Sequence, residues 1–145
     1  MTTKTIKHLA NILADTYVLY YQTQACHWNV EGDHFFELHK AFEGQYEDLA
    51  DAVDELAERL RAIGAKAPVS LKMLLTDSHL VEMTKELSAK EMVKTLYDSH
   101  VVLSDKMRQA MDDCESEDPV TADLFMQRLH WHHKQIWMLK SHLLG

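Results

Sequence analysis

Apolar residues recur along this chain every three or four positions, the spacing that places them on one face of an α-helix. The first stripe, through Leu9, Leu13, Tyr17 and Tyr20 or Tyr21, predicts a helix from about Thr3 to Val30, ended by Gly32. A second, with Leu38, Phe42, Leu49, Val53, Leu56 and Leu60, predicts a long helix from Glu37 to Gly64. Its period is near 3.5 residues, as helices packed in a bundle require. A long connection follows, and within it SLKMLLTDS sets a serine cap before a short apolar turn, predicting a small helix. A third long helix starts near Ser88, where Ser88 and Glu91 form a capping box. It carries Met92, Leu96, His100, Leu103 and Met107 and fades in DDCESED. The last begins at Pro119 behind an Asp118 cap and buries Leu124, Leu129, Ile136 and Leu139 or Leu143. The prediction is an all-α four-helix bundle with a short extra helix in the long crossover between helices 2 and 3.

Composition supports that outline and removes several functions. Only four glycines and two prolines occur in 145 residues, and Gly32, Gly64 and Pro68 fall where helices are expected to end. The length and 46% hydrophobic content suit one domain over residues 1–145. No apolar run reaches the roughly 18 to 20 residues that cross a bilayer, and the first residues lack a signal peptide's apolar core, so no membrane association is expected and the expected compartment is the cytoplasm. Cys26 and Cys114 are too few for a disulfide framework and read as free thiols, Cys26 as a small buried filler. The eight methionines read as core rather than as a copper site. The formal charge of -8 opposes phosphate binding, and only Lys4 and Lys7 precede His8, so DNA binding is expected to be weak or absent.

Chemistry concentrates in His27, His39, Asp54 and Glu58. The two acids stand four apart on the second helix and project from the same face. His39 lies fifteen residues earlier, roughly 22 Å along the axis at about 1.5 Å per residue, whereas ligands of one metal ion sit about 2 Å from it. One straight helix cannot join these groups. An antiparallel copy can, if a two-fold axis passes near residue 47; His39 then lies level with Asp54 and Glu58 of the partner subunit, and each dimer carries two identical sites. A single histidine at a helix end, or two acids on an open helix face, is ordinarily structural. The shared symmetry constraint is what singles out these four.

Four helices with one long crossover resemble ferritin-like bundles. The only Glu-x-x-His match, Glu31 to His34, crosses Gly32 at an expected break, so the internal di-iron site of ordinary ferritins is not encoded here. The segment HWNVEGDHFFELHKAFEGQYEDLADAVDELAERL, from His27 to Leu60, closely resembles the signature of the Dps mini-ferritins, the DNA-binding proteins from starved cells. SLKMLL and the closing KQIWMLKSHLLG extend the likeness over nearly the whole chain.

The resemblance implies a hollow homododecamer that oxidises ferrous iron at its dimer interfaces, preferably with hydrogen peroxide, and stores the ferric mineral, protecting against oxidative stress. It assigns His27 and His39 to one subunit and Asp54 and Glu58 to its mate as the catalytic metal ligands, with Glu58 bridging two irons. Glu43 stands where the family more often has Asp and is included as a metal-site residue. Carboxylates suit ferric iron and imidazoles ferrous iron; zinc fits the same donors. Trp28 matches the family's tryptophan beside the centre, a candidate radical shield, although packing alone explains a tryptophan equally well. CESEDPVTADL resembles the region lining the three-fold pores, with Asp118 and Asp123 as pore positions, though an acidic helix N-terminus is favoured by the helix dipole anyway. A nucleoid-associated, non-catalytic shell that shields DNA or serves as scaffold is the alternative function. Of the other histidines, His130 and His133 share a face while His132 points away, giving no chelate; surface or interface packing is expected. His8, His34, His79, His100 and His142 have no partner visible in the sequence.

Overall fold

The computed structural model describes residues 3–145. Its helices are α1 (Thr3–Asn29), α2 (Phe35–Ala62), α3 (Leu71–Asp77), α4 (Ala89–Cys114) and α5 (Pro119–Leu143), and among the described residues there is no strand. Gly32 and Gly64 interrupt the chain as expected, with φ of 109° and 95°, a left-handed backbone that a β-carbon would strain. Helix ends differ from the periodicity reading by one or two residues. Val30 still donates its N–H to the Cys26 carbonyl (2.9 Å) but lies outside α1. Helix α2 begins at Phe35 without any side-chain cap that the sequence could have signalled.

Helices α3, α4 and α5 start behind caps. Ser70 Oγ accepts from Met73 N (3.1 Å) at α3. At α4, Ser88 Oγ accepts from Glu91 N (3.2 Å) and Glu91 Oε1 accepts from Ser88 N (3.0 Å), satisfying two N–H groups the helix itself cannot. Pro119 occupies the first turn of α5 behind Asp118. Short turns at 30–34 and 115–118 make α1/α2 and α4/α5 antiparallel pairs, and α1 packs on α4 to join them. Phe42, Leu49, Leu56 and Leu60 meet Leu9, Leu19, Leu96, Leu103, Met107 and Phe125 in one core. Tyr20, not Tyr21, continues the first stripe, and Leu139 is the buried member at the end of the last; Ile136 is only half-buried.

The long crossover is tied down by two polar residues of α1. Asp15 is fully buried and accepts from Ser78 Oγ (2.8 Å), His79 N (2.5 Å) and His79 Nδ1 (2.9 Å). Two turns on, Gln22 Oε1 accepts from Met83 N (2.6 Å). These bonds satisfy backbone groups in a segment with no ladder of its own.

Two expectations are corrected. His132 is no surface residue: it is fully buried, with its Nδ1 2.8 Å from His100 Nδ1 across the α4–α5 contact. The helical rotation that leaves His130 and His133 in solvent turns His132 inward. The methionines are not uniformly core. Met92 and Met107 are buried, Met83 and Met111 half-buried, and Met73, Met126 and Met138 exposed; Met1 lies outside the described residues. No helix of the described residues is long and apolar enough to cross a membrane.

Candidate metal centre

His27 sits in the last turn of α1 and His39 in the second turn of α2, and the hairpin turn stacks their rings face to face, centroids 3.8 Å apart and planes 13° from parallel. Each ring is held by the other's main chain. His27 Nδ1 donates to the His39 carbonyl and His39 Nδ1 to the His27 carbonyl, both at 2.7 Å. The His27 carbonyl is in the final turn of α1, where helical carbonyls have no partner further along, so His39 also finishes that helix. A carbonyl only accepts, so both protons lie on Nδ1 and both Nε2 atoms keep a free lone pair. That is the tautomer and fixed orientation a metal-binding imidazole needs. Phe35 stacks on the outer face of His39 at 5.0 Å, and Tyr46 meets His27 edge-on at 5.1 Å, so neither ring can turn freely.

Glu43, one turn beyond His39, brings Oε1 to 3.9 Å from His27 Nε2. That is too long for a hydrogen bond but within the roughly 3.0–4.2 Å that separates two ligands each about 2.1 Å from one ion. Asp54 and Glu58 lie on the same face near the far end of α2, both exposed. A protonated Glu58 can hydrogen-bond to Asp54, and that bond together with the charge of Asp54 raises the Glu58 pKa. Two adjacent carboxylates without a cation repel, and a bound cation reverses the sign of their interaction. The α1–α2 turn brings the histidines together, and because α2 is one uninterrupted helix it keeps them apart from these acids. Among the described residues of one chain, no three His, Cys, Asp or Glu side chains converge to hold a metal.

The two pore candidates part company. Asp118 is buried and serves the bundle: Arg59 Nη2 reaches its two oxygens at 3.0 and 3.2 Å, and Thr121 N donates at 3.2 Å. Burial alone would raise its pKa, but hydrogen bonds from Thr121 and the Arg59 guanidinium hold it below the ordinary carboxylate range. Asp123 is exposed and lines a cleft of about 420 Å³ together with Glu55 and Glu58. Trp28 is 57% exposed beside His27, with Tyr21 edge-on at 6.3 Å. The orienting carbonyls and the Arg59–Asp118 pair carry no local signal in the sequence, since each depends on packing between helices.

A ferritin-like domain model matches residues 6–144. The chain is 34% identical to the DNA protection during starvation protein of Helicobacter pylori, over 97% of this chain and 99% of that one. It is 32% identical to general stress protein 20U of Bacillus subtilis, over 99% of each. Superposed on Dps from Staphylococcus aureus it gives a TM-score of 0.93 at 34% identity, covering 96% of this chain and 94% of the other. The chain belongs to the Dps family. A Dps protein from Vibrio cholerae, 33% identical with a TM-score of 0.92 over 97% of this chain and 89% of that one, is described as a member of a broad superfamily of ferritin-like diiron-carboxylate proteins.

Within a Dps chain, what fills the bundle interior becomes informative. Glu31 and His34 flank the Gly32 turn outside any helix, so no Glu-x-x-His pair points inward. The interior holds His100 and His132 instead, beside Arg128, whose Nη1 donates to Asp48 (2.6 Å) and whose guanidinium lies 4.6 Å from the Trp131 ring centre. Burial, then the Arg128 charge, drives the His100 pKa down to about 3. Burial, then His100 and Arg128, lowers that of His132. Both rings are neutral at ordinary pH.

Proposed function

We propose that this Dps-family protein oxidises and stores iron in a hollow dodecamer, at sites each shared by two subunits across a two-fold axis. His27, His39 and Glu43 come from one subunit, and Asp54 and Glu58 of the partner subunit complete the ligand set. The reading rests chiefly on the imidazole pair, whose Nδ1 atoms are both engaged by carbonyls and whose Nε2 atoms are free. Among the described residues no ion pair engages Asp54 or Glu58, which stand side by side, and the rigidity of α2 requires a second copy to bring the two halves together.

Ferrous iron is the substrate. Imidazole nitrogen binds it before oxidation, and carboxylates favour the ferric product, so the mixed set draws the reaction forward. Hydrogen peroxide is the proposed oxidant: two ferrous ions give one electron each, and peroxide with two protons leaves as two waters, without hydroxyl radical. The cleft shared by Asp123, Glu55 and Glu58 supports a route by which carboxylates attract cations toward the site. Trp28 stands where it can intercept stray one-electron oxidants. Zinc fits the same donors and is expected to compete. The Helicobacter pylori relative is named for protecting DNA; for this chain, with net charge -8, protection through iron and peroxide chemistry is proposed rather than tight DNA binding.

Stopped-flow absorbance of ferrous oxidation tests the reading, with metal-free protein and with Asp54→Ala/Glu58→Ala as control. Faster oxidation by peroxide than by dioxygen, lost in a variant that still assembles, is the expected result. Normal oxidation by that variant removes these carboxylates from the mechanism. A wild-type rate no greater than the variant's leaves a non-catalytic, DNA-shielding shell.

A further inference from the structure

We infer that Cys26, Met83 and Met92 form a binding site for a soft monovalent cation, copper(I), which does not depend on the iron reading. Cys26 Sγ lies 3.9 Å from Met83 Sδ. With Met92, both line a cleft of about 390 Å³ between the end of α1, the crossover and the start of α4. Two sulfurs bound about 2.3 Å from one ion at 120° stand about 4.0 Å apart. The Cys26–Met83 spacing is therefore already that of two ligands of a trigonal site, and Met92 on the same cleft wall is the third sulfur we assign to it.

The arrangement is held by bonds in the cleft wall and beyond it. Gln22 lies one turn before Cys26 on the same face of α1, is buried, and fixes the Met83 backbone through its bond to Met83 N. Asp15 anchors the crossover a few residues earlier at Ser78 and His79. Met92 is in the first turns of α4, whose start the Ser88–Glu91 capping box sets. Three elements each contribute one sulfur-bearing side chain to the cleft lining. Cys26 and Met92 belong to the buried core and Met83 packs against it, so the three soft side chains share one wall.

Donor chemistry selects the ion. Thiolate and thioether are soft ligands that favour copper(I) over iron or calcium. Charge selects further: one thiolate cancels one positive charge, leaving a neutral complex in a buried place, whereas a dication would remain charged. Lys85 and Glu86 at the rim oppose each other. Binding exchanges the thiol proton for the cation, Cys–SH and Cu⁺ giving Cys–S–Cu and H⁺, with no electron transferred. Cys114, a buried thiol bonded to Thr5, is an internal control.

The test offers the intact, metal-free assembly copper(I) as its bathocuproine disulfonate complex under anaerobic conditions. Wild type is expected to withdraw one copper(I) per subunit, Cys26→Ser none, and Cys114→Ser as much as wild type. Met83→Leu and Met92→Leu, close in volume, should each weaken uptake by roughly tenfold or more, about 1.4 kcal/mol. X-ray absorption of the copper-loaded wild type should find three sulfur neighbours at about 2.3 Å. No uptake beyond that of Cys26→Ser, undiminished uptake in both methionine variants, or nitrogen in the copper shell overturns the assignment. If a methionine variant fails to assemble, the wild-type absorption spectrum still decides.

Discussion

Replacing His100 and His132 together by leucine should flatten the acid side of the stability profile. In the folded bundle His100 has a pKa of about 3, against 6.5 when the chain is unfolded, because burial and then Arg128 disfavour its charged form. The unfolded chain therefore binds a proton that the folded chain refuses, and stability is full above pH 6.5 and falls as the pH drops toward 3. At pH 5 the loss from His100 alone is 1.36 kcal/mol times about 1.5 pH units, about 2 kcal/mol. His132 is lowered by the same burial and adds to the loss in the same direction. Urea unfolding at one fixed subunit concentration, at pH 7.5 and 5.0, measures the effect; fixing the concentration holds the mass-action contribution of assembly the same in both proteins. The expected result is a pH-dependent loss about 2 kcal/mol or more smaller in the double variant than in wild type. Equal losses in the two proteins would refute the claim that these rings are held neutral. Deuterium exchange at the histidine ring carbons of wild type, read by mass spectrometry, provides an independent check: His100 and His132 should not titrate between pH 5 and 8.

Further outcomes follow from the polar ties. Asp15→Ala removes the acceptor of three hydrogen bonds, at about 1 kcal/mol each, and should lower stability by about 3 kcal/mol while speeding amide exchange in residues 78–83; unchanged exchange there would separate the crossover from Asp15. Asp118→Asn should cost about 1–2 kcal/mol through the weakened cap and Arg59 pair. Because the Asp118 pKa is depressed when folded, its contribution is present above the ordinary carboxylate range and fades in acid, so the gap between wild type and variant should narrow as the pH falls through that range; a gap that stays constant argues against the ion pair. Glu58→Gln should raise the melting temperature of metal-free protein by relieving repulsion from Asp54, and lose the increase that added metal gives wild type. A lower melting temperature without metal would contradict the unpaired state of those acids.

The helices and their caps could be read from local sequence because the forces that set them are local. Ser88 with Glu91, Ser70, Pro119 behind Asp118 and the two left-handed glycines each act within one turn. The metal-site geometry was legible only in part. Helical rise is enough to separate His39 from Asp54, but nothing in the sequence says that His27 and His39 exchange main-chain hydrogen bonds, since they stand twelve positions apart across a turn. Asp15 and His132 were missed for the same reason. A polar residue inside an apolar stripe has its partner on another helix, and periodicity gives the face but not the neighbour.

Those interior polar residues also bear on where iron is handled. Among the described residues the fully or nearly buried carboxylates are Asp15 and Asp118, the first engaged by Ser78 and His79, the second by Arg59 and Thr121. The bundle centre instead carries the Arg128 guanidinium beside two neutral imidazoles. A dication placed there would meet a positive charge in a low-dielectric interior with no free carboxylate to offset its desolvation, an arrangement that costs several kcal/mol. Asp54 and Glu58, two adjacent carboxylates with no ion pair of their own among the described residues, face outward from α2. In the proposed function, moving the oxidation site from bundle to interface is thus a matter of where negative charge remains unneutralised, and it makes assembly a precondition of activity because each subunit carries only half of each site.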